Sequence, residues 1–270
     1  MRSEQAYLNL LLDCYAKGRI SGNRTGVPTL KCFGALWTCE DVVEDFPLLT
    51  TKRIHWKSVV AELLWFLRGS TNIRDLDSTI WNEWADENGD LGPVYGQQWR
   101  AWHDPMEIEG HTGTWDQIRM AENLLRHDPD SRRILVSAWN VADLPFMALQ
   151  PCHYAFQLQH CDGELSMLVN MRSIDMFLGL PFNIASYALL LTMFAHVHRM
   201  RPQKLCFSLG DYHIYSNHYE QVLTQITRPL RPAPRVWISG SHESVCDIRV
   251  EDIHLDGYDP EPSIKAEVAV

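Results

Sequence analysis

Several features are missing from this 270-residue chain, and each absence excludes a class of function. There is no CxxC pair, no HExxH and no Cys/His quartet, so no structural metal site is expected. There is no GxGxxG, the loop on which nicotinamide and flavin enzymes seat a pyrophosphate. Positive charge is scarce: 24 Lys and Arg against 34 Asp and Glu leave a net charge of −10. That balance argues against a nucleic-acid-binding stripe or a basic membrane anchor, although a few arginines can still line a pocket for a small anion. The seven cysteines form no paired framework, and the opening MRSEQAYLNL has only a short apolar run broken by Glu4. Both features lead us to expect a reducing, cytoplasmic setting and an N-terminal helix rather than a targeting sequence.

What is present is apolar material, 46% of the residues, enough for a sizeable core. No repeat, low-complexity tract or Pro/Ser-rich linker divides the chain, so a single domain over residues 1–270 is expected. Periodicity predicts a helix from Glu4 to Lys17, stopped by Gly18, and buried helices from Trp56 to Leu67 and from Ile184 to Val197. The last is too short for a bilayer and is broken by Ser186, Thr192 and His196. Strands are predicted at Ile134–Trp139, Tyr154–His160, Leu165–Val169, Leu205–Ser208 and Val236–Ile238, with Asp162-Gly163 as a hairpin turn. Buried helices on a mostly antiparallel sheet make an α+β domain.

Two places carry chemistry. Glu62 lies inside the apolar run WKSVVAELLWFL, where a carboxylate needs a partner or a task. Pro151-Cys152-His153 is followed some twenty residues later by Arg172-Ser173 and then by DMFLGLPFN, Asp175 to Asn183. Cys152 suits attack on an electrophilic carbon, Arg172 suits a phosphate, and the Asn183 carboxamide suits the polar edge of a heterocycle. Each residue alone has an ordinary structural reading: a buried small hydrophobe, a solvated cation, a helix cap. The predicted hairpin would bring the Cys152 and Arg172 ends of two strands near one another.

These segments resemble the thymidylate synthase family, and the resemblance runs through nearly the whole chain. It covers Asn23-Arg24-Thr25-Gly26, Phe46-Pro47-Leu48, Thr51-Lys52-Arg53, the Glu62–Leu67 run, Ile80–Trp84, Leu91–Gly96 and Asp130–Arg133. It continues through the Cys152 segment, the RSxDxFLGLPFNIA run, Gly210–His218 and Ile264-Lys265-Ala266. The resemblance implies an α+β domain on a large twisted mixed or antiparallel sheet. It also implies a homodimer packed sheet to sheet, with dUMP and 5,10-methylenetetrahydrofolate as co-substrates and no metal.

The resemblance further implies residue roles. Cys152 would add to C6 of the uracil ring; Glu62 would manage protons, Tyr95 would assist loss of the C5 proton, and His153 would support the water network. Arg24, Arg172 and Ser173 would hold the nucleotide phosphate, joined by Arg132 and Arg133 reaching in from the other subunit. Asn183 would choose uracil over cytosine, and His213 and Tyr215 would hold the ribose. Lys52, His55, Trp81, Trp84, Asp175, Gly179 and Val270 would form the folate site, with Asp175 also assigned to the nucleotide side. Asn82, Gln150, Asn170, Met171 and Glu267 depart from the common pattern, and Thr71–Ile80 looks shortened. The rival reading is a deoxyuridylate hydroxymethylase, in which water captures the exocyclic methylene that hydride would otherwise reduce. Trp81, Leu149 and an aliphatic C-terminus, which would exclude that water, favour methylation. Asn183 disfavours dCMP as substrate, and an intact Cys152, Glu62 and Tyr95 disfavour a purely regulatory nucleotide-binding module.

Overall fold

The computed structural model describes residues 2–103 and 113–269. Val270, assigned above to the folate site, lies outside the described residues. In chain order the elements are α1 (Ser3–Lys17), β1 (Arg19–Ser21), β2 (Thr29–Cys39), α2 (Trp56–Leu67), α3 (Tyr95–Arg100), β3 (Trp102–His103), β4 (Thr114–Trp115) and α4 (Gln117–His127). They continue with β5 (Leu135–Ser137), β6 (His153–Cys161), β7 (Glu164–Asp175), α5 (Gly179–Val197), β8 (Arg201–Tyr215), α6 (Tyr219–Ile226), β9 (Arg235–Ile238) and β10 (Ile253–Asp256). The result is a single α+β domain.

Six strands form one sheet in the order β1-β2-β8-β7-β6-β5. The sheet is mixed rather than antiparallel throughout: β7 and β8 run parallel, joined by the α5 crossover that such a pair requires. α5 lies against both strands and is apolar on nearly every side, with Ile184, Leu189, Leu190, Leu191 and Phe194 fully buried. It has 19 residues, five more than its periodicity suggested, and is by length and composition able to cross a membrane. Burial inside the domain accounts for that composition equally well, since 78% of its most apolar window is enclosed.

β7 and β8 are far longer than the predicted Leu165–Val169 and Leu205–Ser208, because their alternation changes phase midway. In β7 the buried set Leu165, Met167, Val169, Met171 is followed by Ile174, so Arg172 and Ser173 both lie half-buried. In β8 the set Leu205, Phe207, Leu209 is followed by Tyr212 and Ile214, with the slip at Gly210-Asp211. These slips lie side by side, since Ser173 pairs with Asp211. A third adjoins them in β2, where Phe33 pairs with Asp211 and Gly34 takes a φ of +79°. β2 had been missed because Gly34 reads as a breaker and because Phe33 and Leu36 make its outer face apolar too. β5 is shorter than predicted, and Arg172 lies within β7 rather than beyond its end.

Two close backbone approaches fix the elements around the cleft. A Cβ at Gly210 would sit 2.8 Å from the Arg172 carbonyl oxygen, so only glycine lets β8 run this close to β7. A Cβ at Gly96 would meet the Ser70 and Phe66 carbonyls at 3.0 and 3.1 Å, so glycine lets α3 abut the end of α2. Glu4 of α1 is buried, and its carboxylate accepts from Thr50 N, Thr51 N and Thr50 Oγ1 at 2.8, 2.7 and 2.6 Å. These bonds tie the segment leading into Lys52 to the first helix. Glu4→Ala would strand three buried donors and should cost about 3 kcal/mol, measured by urea unfolding; a loss below about 1 kcal/mol would show that water replaces the carboxylate.

Candidate active site

Cys152 directly precedes β6, and its backbone oxygen accepts from Arg172 N at 2.9 Å. Arg172 is held in turn by its own guanidinium: Nε donates to the Pro151 carbonyl at 2.8 Å and Nη2 to the Gln150 carbonyl at 2.7 Å. This leaves Nη2 4.0 Å from the Cys152 sulfur. The Trp139 ring lies under the guanidinium, 5.6 Å from centroid to Cζ. Burial raises the Cys152 pKa, and the positive charges of Arg172 and Arg24 oppose that rise. Cys152 as a residue is only partly buried.

Behind the thiol lies a buried polar chain. The Cys152 amide donates to the Tyr95 hydroxyl at 2.8 Å. The Tyr95 ring stacks on His153 with centroids 4.0 Å apart and planes 16° apart. His153 Nδ1 meets the Tyr187 hydroxyl at 2.8 Å. Burial drives the His153 pKa down to about 3, so the ring is neutral at physiological pH. Burial also pushes the Tyr95 and Tyr187 hydroxyls well above their usual range, and the Glu62 charge adds to the effect on both. Tyr187 had not been singled out in the sequence. It lies one helical turn after Asn183, a spacing that puts both on one face of α5.

Glu62 is itself buried on α2, as its apolar neighbours required. Burial raises its pKa to about 7, opposed by the bond that Trp81 Nε1 donates to Oε1 at 2.7 Å. Trp81 is only 7% exposed. It is enclosed by Trp65, Phe66, Trp84 and Tyr95, with centroids between 5.6 and 6.4 Å away. The surroundings of Glu62 are therefore aromatic and poorly solvating.

The rest of the predicted set divides. β7 and β8 put Asp175 opposite His213 and Ser173 opposite Asp211 in register. His213 Nδ1 is 2.9 Å from Asp211 Oδ1 and the ring packs edge-on to Tyr215 at 5.2 Å. Asn183 and Ser173 are half-buried, and neither side chain has a hydrogen-bond partner among the described residues. Both groups are therefore available to a polar partner from outside the chain. Arg24 is exposed, yet its charge acts on both Cys152 and Tyr215. Gly179 opens α5, and Leu149 packs partly buried against the core. His55 caps α2 and its Nδ1 is 2.8 Å from Ser58 Oγ.

Arg132 and Arg133 are not brought to this cleft within the chain; they are exposed in the turn between α4 and β5, with no side-chain hydrogen bond or ion pair among the described residues. Lys52, expected at the folate site, lies in the interior. It is buried, with Nζ donating to the Phe177 carbonyl and lying 3.5 Å from the Phe177 ring centroid. Desolvation lowers its pKa to about 7, with Asp175 opposing. No group of three or more His, Cys, Asp or Glu side chains that could hold a metal occurs among the described residues.

A mixed-sheet α+β fold that gathers a thiol and two guanidinium charges, backed by a buried polar chain and a buried carboxyl, has the groups of an enzyme. The family model for thymidylate synthase matches residues 5–270, and the chain belongs to that family. It is a family of enzymes that use methylenetetrahydrofolate as co-substrate.

The Glu62 environment has a measurable consequence. Its folded pKa is raised above the unfolded value, so the stability it contributes is fully present below the usual Glu range and is lost as pH rises through about 7. Glu62→Gln stays neutral. Between pH 5 and 8 the variant should therefore gain up to about 3 kcal/mol relative to the native protein. Urea melts of both proteins at the two pH values measure this double difference, which cancels the opposite, acid-side effect of His153. A difference that does not change with pH would mean that Glu62 ionises normally.

Proposed function

We propose that the chain catalyses the reductive methylation of dUMP to dTMP, with 5,10-methylenetetrahydrofolate as co-substrate. The observation that carries this reading is the Cys152 thiol under Arg172 and Arg24, joined through Tyr95 and His153 to the same buried pocket as a carboxyl titrating near neutrality. Uracil C5 is not nucleophilic unaided. Addition of the Cys152 thiolate at C6 makes it so, and sulfur can leave again at the end.

Arg24, Arg172 and Ser173 hold the phosphate, and the arginines favour the thiolate at the same time. Asn183 donates to O4 and accepts from N3–H of uracil, an edge that cytosine reverses. His213 and Tyr215 receive the ribose. Glu62, able to hold or release a proton near pH 7, serves O4 and the folate side through water, and neutral His153 orients that network. Tyr95 assists removal of the C5 proton. Trp81, Trp84, Asp175, Gly179, Lys52, His55 and Val270 line the folate side, with Lys52 held against Phe177. The folate, when bound, supplies both the carbon and the hydride. The aromatic enclosure of Trp81 keeps water from that carbon and favours methylation over hydroxymethylation.

The assay is direct: dihydrofolate should form one for one with dUMP consumed, and the nucleotide should gain the mass of a methyl group. Formation of 5-hydroxymethyl-dUMP without dihydrofolate would make the chain a hydroxymethylase. Cys152→Ser should lower turnover by roughly 10³-fold or more while still binding dUMP, and it should stop dehalogenation of 5-bromo-dUMP, which needs the same attack at C6. Substantial turnover by that variant would remove Cys152 from the mechanism.

The exposed, unpaired Arg132 and Arg133 support a homodimer in which each subunit lends this pair to the other's phosphate site. Mixing Arg132→Glu with Cys152→Ser subunits should restore activity, because one of the two hybrid sites keeps both intact parts. Failure to restore it, with subunit exchange confirmed by mass spectrometry, would count against shared sites.

A further inference from the structure

Histidine 218 takes no part in the mechanism above, yet it is completely buried between the cleft and the C-terminal segment. Its Nε2 donates to the Glu267 carbonyl at 2.8 Å, joining residues 49 positions apart. That bond requires a proton on Nε2. Nδ1 has no hydrogen-bond partner among the described residues and faces Asp175 Oδ2 at 4.0 Å. The other Asp175 oxygen accepts from Phe177 N at 2.8 Å. The imidazole is held between Phe177 and Tyr215, with centroids 5.5 and 5.8 Å away, and Phe177 is itself fixed by Lys52.

The C-terminal segment is fastened at a few separate points. Glu261 N donates to the Thr50 carbonyl at 2.8 Å, and Arg228 holds the Pro262 carbonyl. Beyond those, among the described residues, come a long 3.5 Å bond from Gln221 to the Lys265 carbonyl and the short His218 bond to Glu267. His218 is thus the last firm attachment, and its opposite edge faces the carboxylate that our functional reading places at the folate.

We propose that His218 is a positioning residue coupling the seat of the C-terminal segment to the orientation of Asp175. A polar group that draws Asp175 toward the cleft changes the balance at Nδ1, and the ring transmits that change to the Glu267 carbonyl. Conversely, an attached C-terminal segment fixes the ring and so presents Asp175 correctly. The proposal rests on the assignment of Asp175 to the folate side, so its test includes an arm that needs no folate.

The Lys265–Ala266 bond is a trypsin site just inside the last attachment. His218→Asn keeps a polar group near Asp175 but cannot reach Glu267, whereas His218→Gln places an amide nitrogen near the Nε2 position. Without any ligand, cleavage after Lys265 should be roughly fivefold faster in the Asn variant, the population change expected for one lost neutral hydrogen bond, and near the native rate in the Gln variant. In turnover, the Asn variant should show a folate KM raised by roughly the same factor with dUMP binding unchanged, and the Gln variant should recover most of it. Native cleavage in the Asn variant, or no rescue by Gln, would overturn the attachment. Altered cleavage with no folate dependence in the native enzyme would leave the attachment standing and reject the functional reading instead. Should neither variant fold, imidazole ¹⁵N signals of the native protein decide. With folate binding confirmed on the same sample by tryptophan fluorescence, the His218 Nδ1 resonance must move, and an unmoved resonance would overturn the coupling.

Discussion

The close approach of β8 to β7 at Gly210 is the constraint on which the cleft depends. With only a hydrogen where a Cβ would lie 2.8 Å from the Arg172 carbonyl, the two parallel strands can slip phase together. That slip leaves Arg172 and Ser173 half-buried in succession. It also sets Asp175 against His213 at the strand ends. A side chain at position 210 would push the strands apart and separate Arg172, Ser173 and Asp175 from His213 and Tyr215. The α5 crossover that joins the two strands then delivers Asn183 and Tyr187 to the same cleft.

Burial supplies much of the chemistry. One effect, the poor solvation of charge inside an aromatic enclosure, keeps His153 neutral, raises Glu62 toward neutrality and raises the Tyr95 and Tyr187 hydroxyls. The same effect would suppress the Cys152 thiolate were it not for Arg172 and Arg24. Cations therefore sit on the side of the thiol where an anionic substrate can join them, and hydrogen-bonded neutral groups sit on the other. Lys52 illustrates the cost of that interior: it keeps a carbonyl and an aromatic face as partners and still titrates near 7.

Much of this was legible in the sequence because it rests on local pattern. The apolar faces of α1, α2 and α5 announced buried helices, and Glu62 stood out against its neighbours before any partner was known. The residue types around Cys152, Arg172 and Asn183 named the chemistry each could perform, and ordered motifs along the chain pointed to the family that residues 5–270 match. Where local pattern failed, the cause was tertiary. β2 has apolar residues on both faces, so period-two alternation is lost, and Gly34 imitates a breaker. β7 and β8 change phase together, which no single strand reports.

The sequence by itself determined the composition of the core, the helices and the kinds of groups available to the cleft, because hydrophobic periodicity and side-chain chemistry are properties of neighbouring residues. Only the tertiary structure decided which of those groups meet. It turned Lys52 inward to Phe177, joined Tyr187 to His153, placed His218 between Asp175 and Glu267, and left Arg132 and Arg133 outside the cleft of their own chain. These outcomes follow from strand register, helix crossover and desolvation. Each depends on residues distant in the chain and close in space.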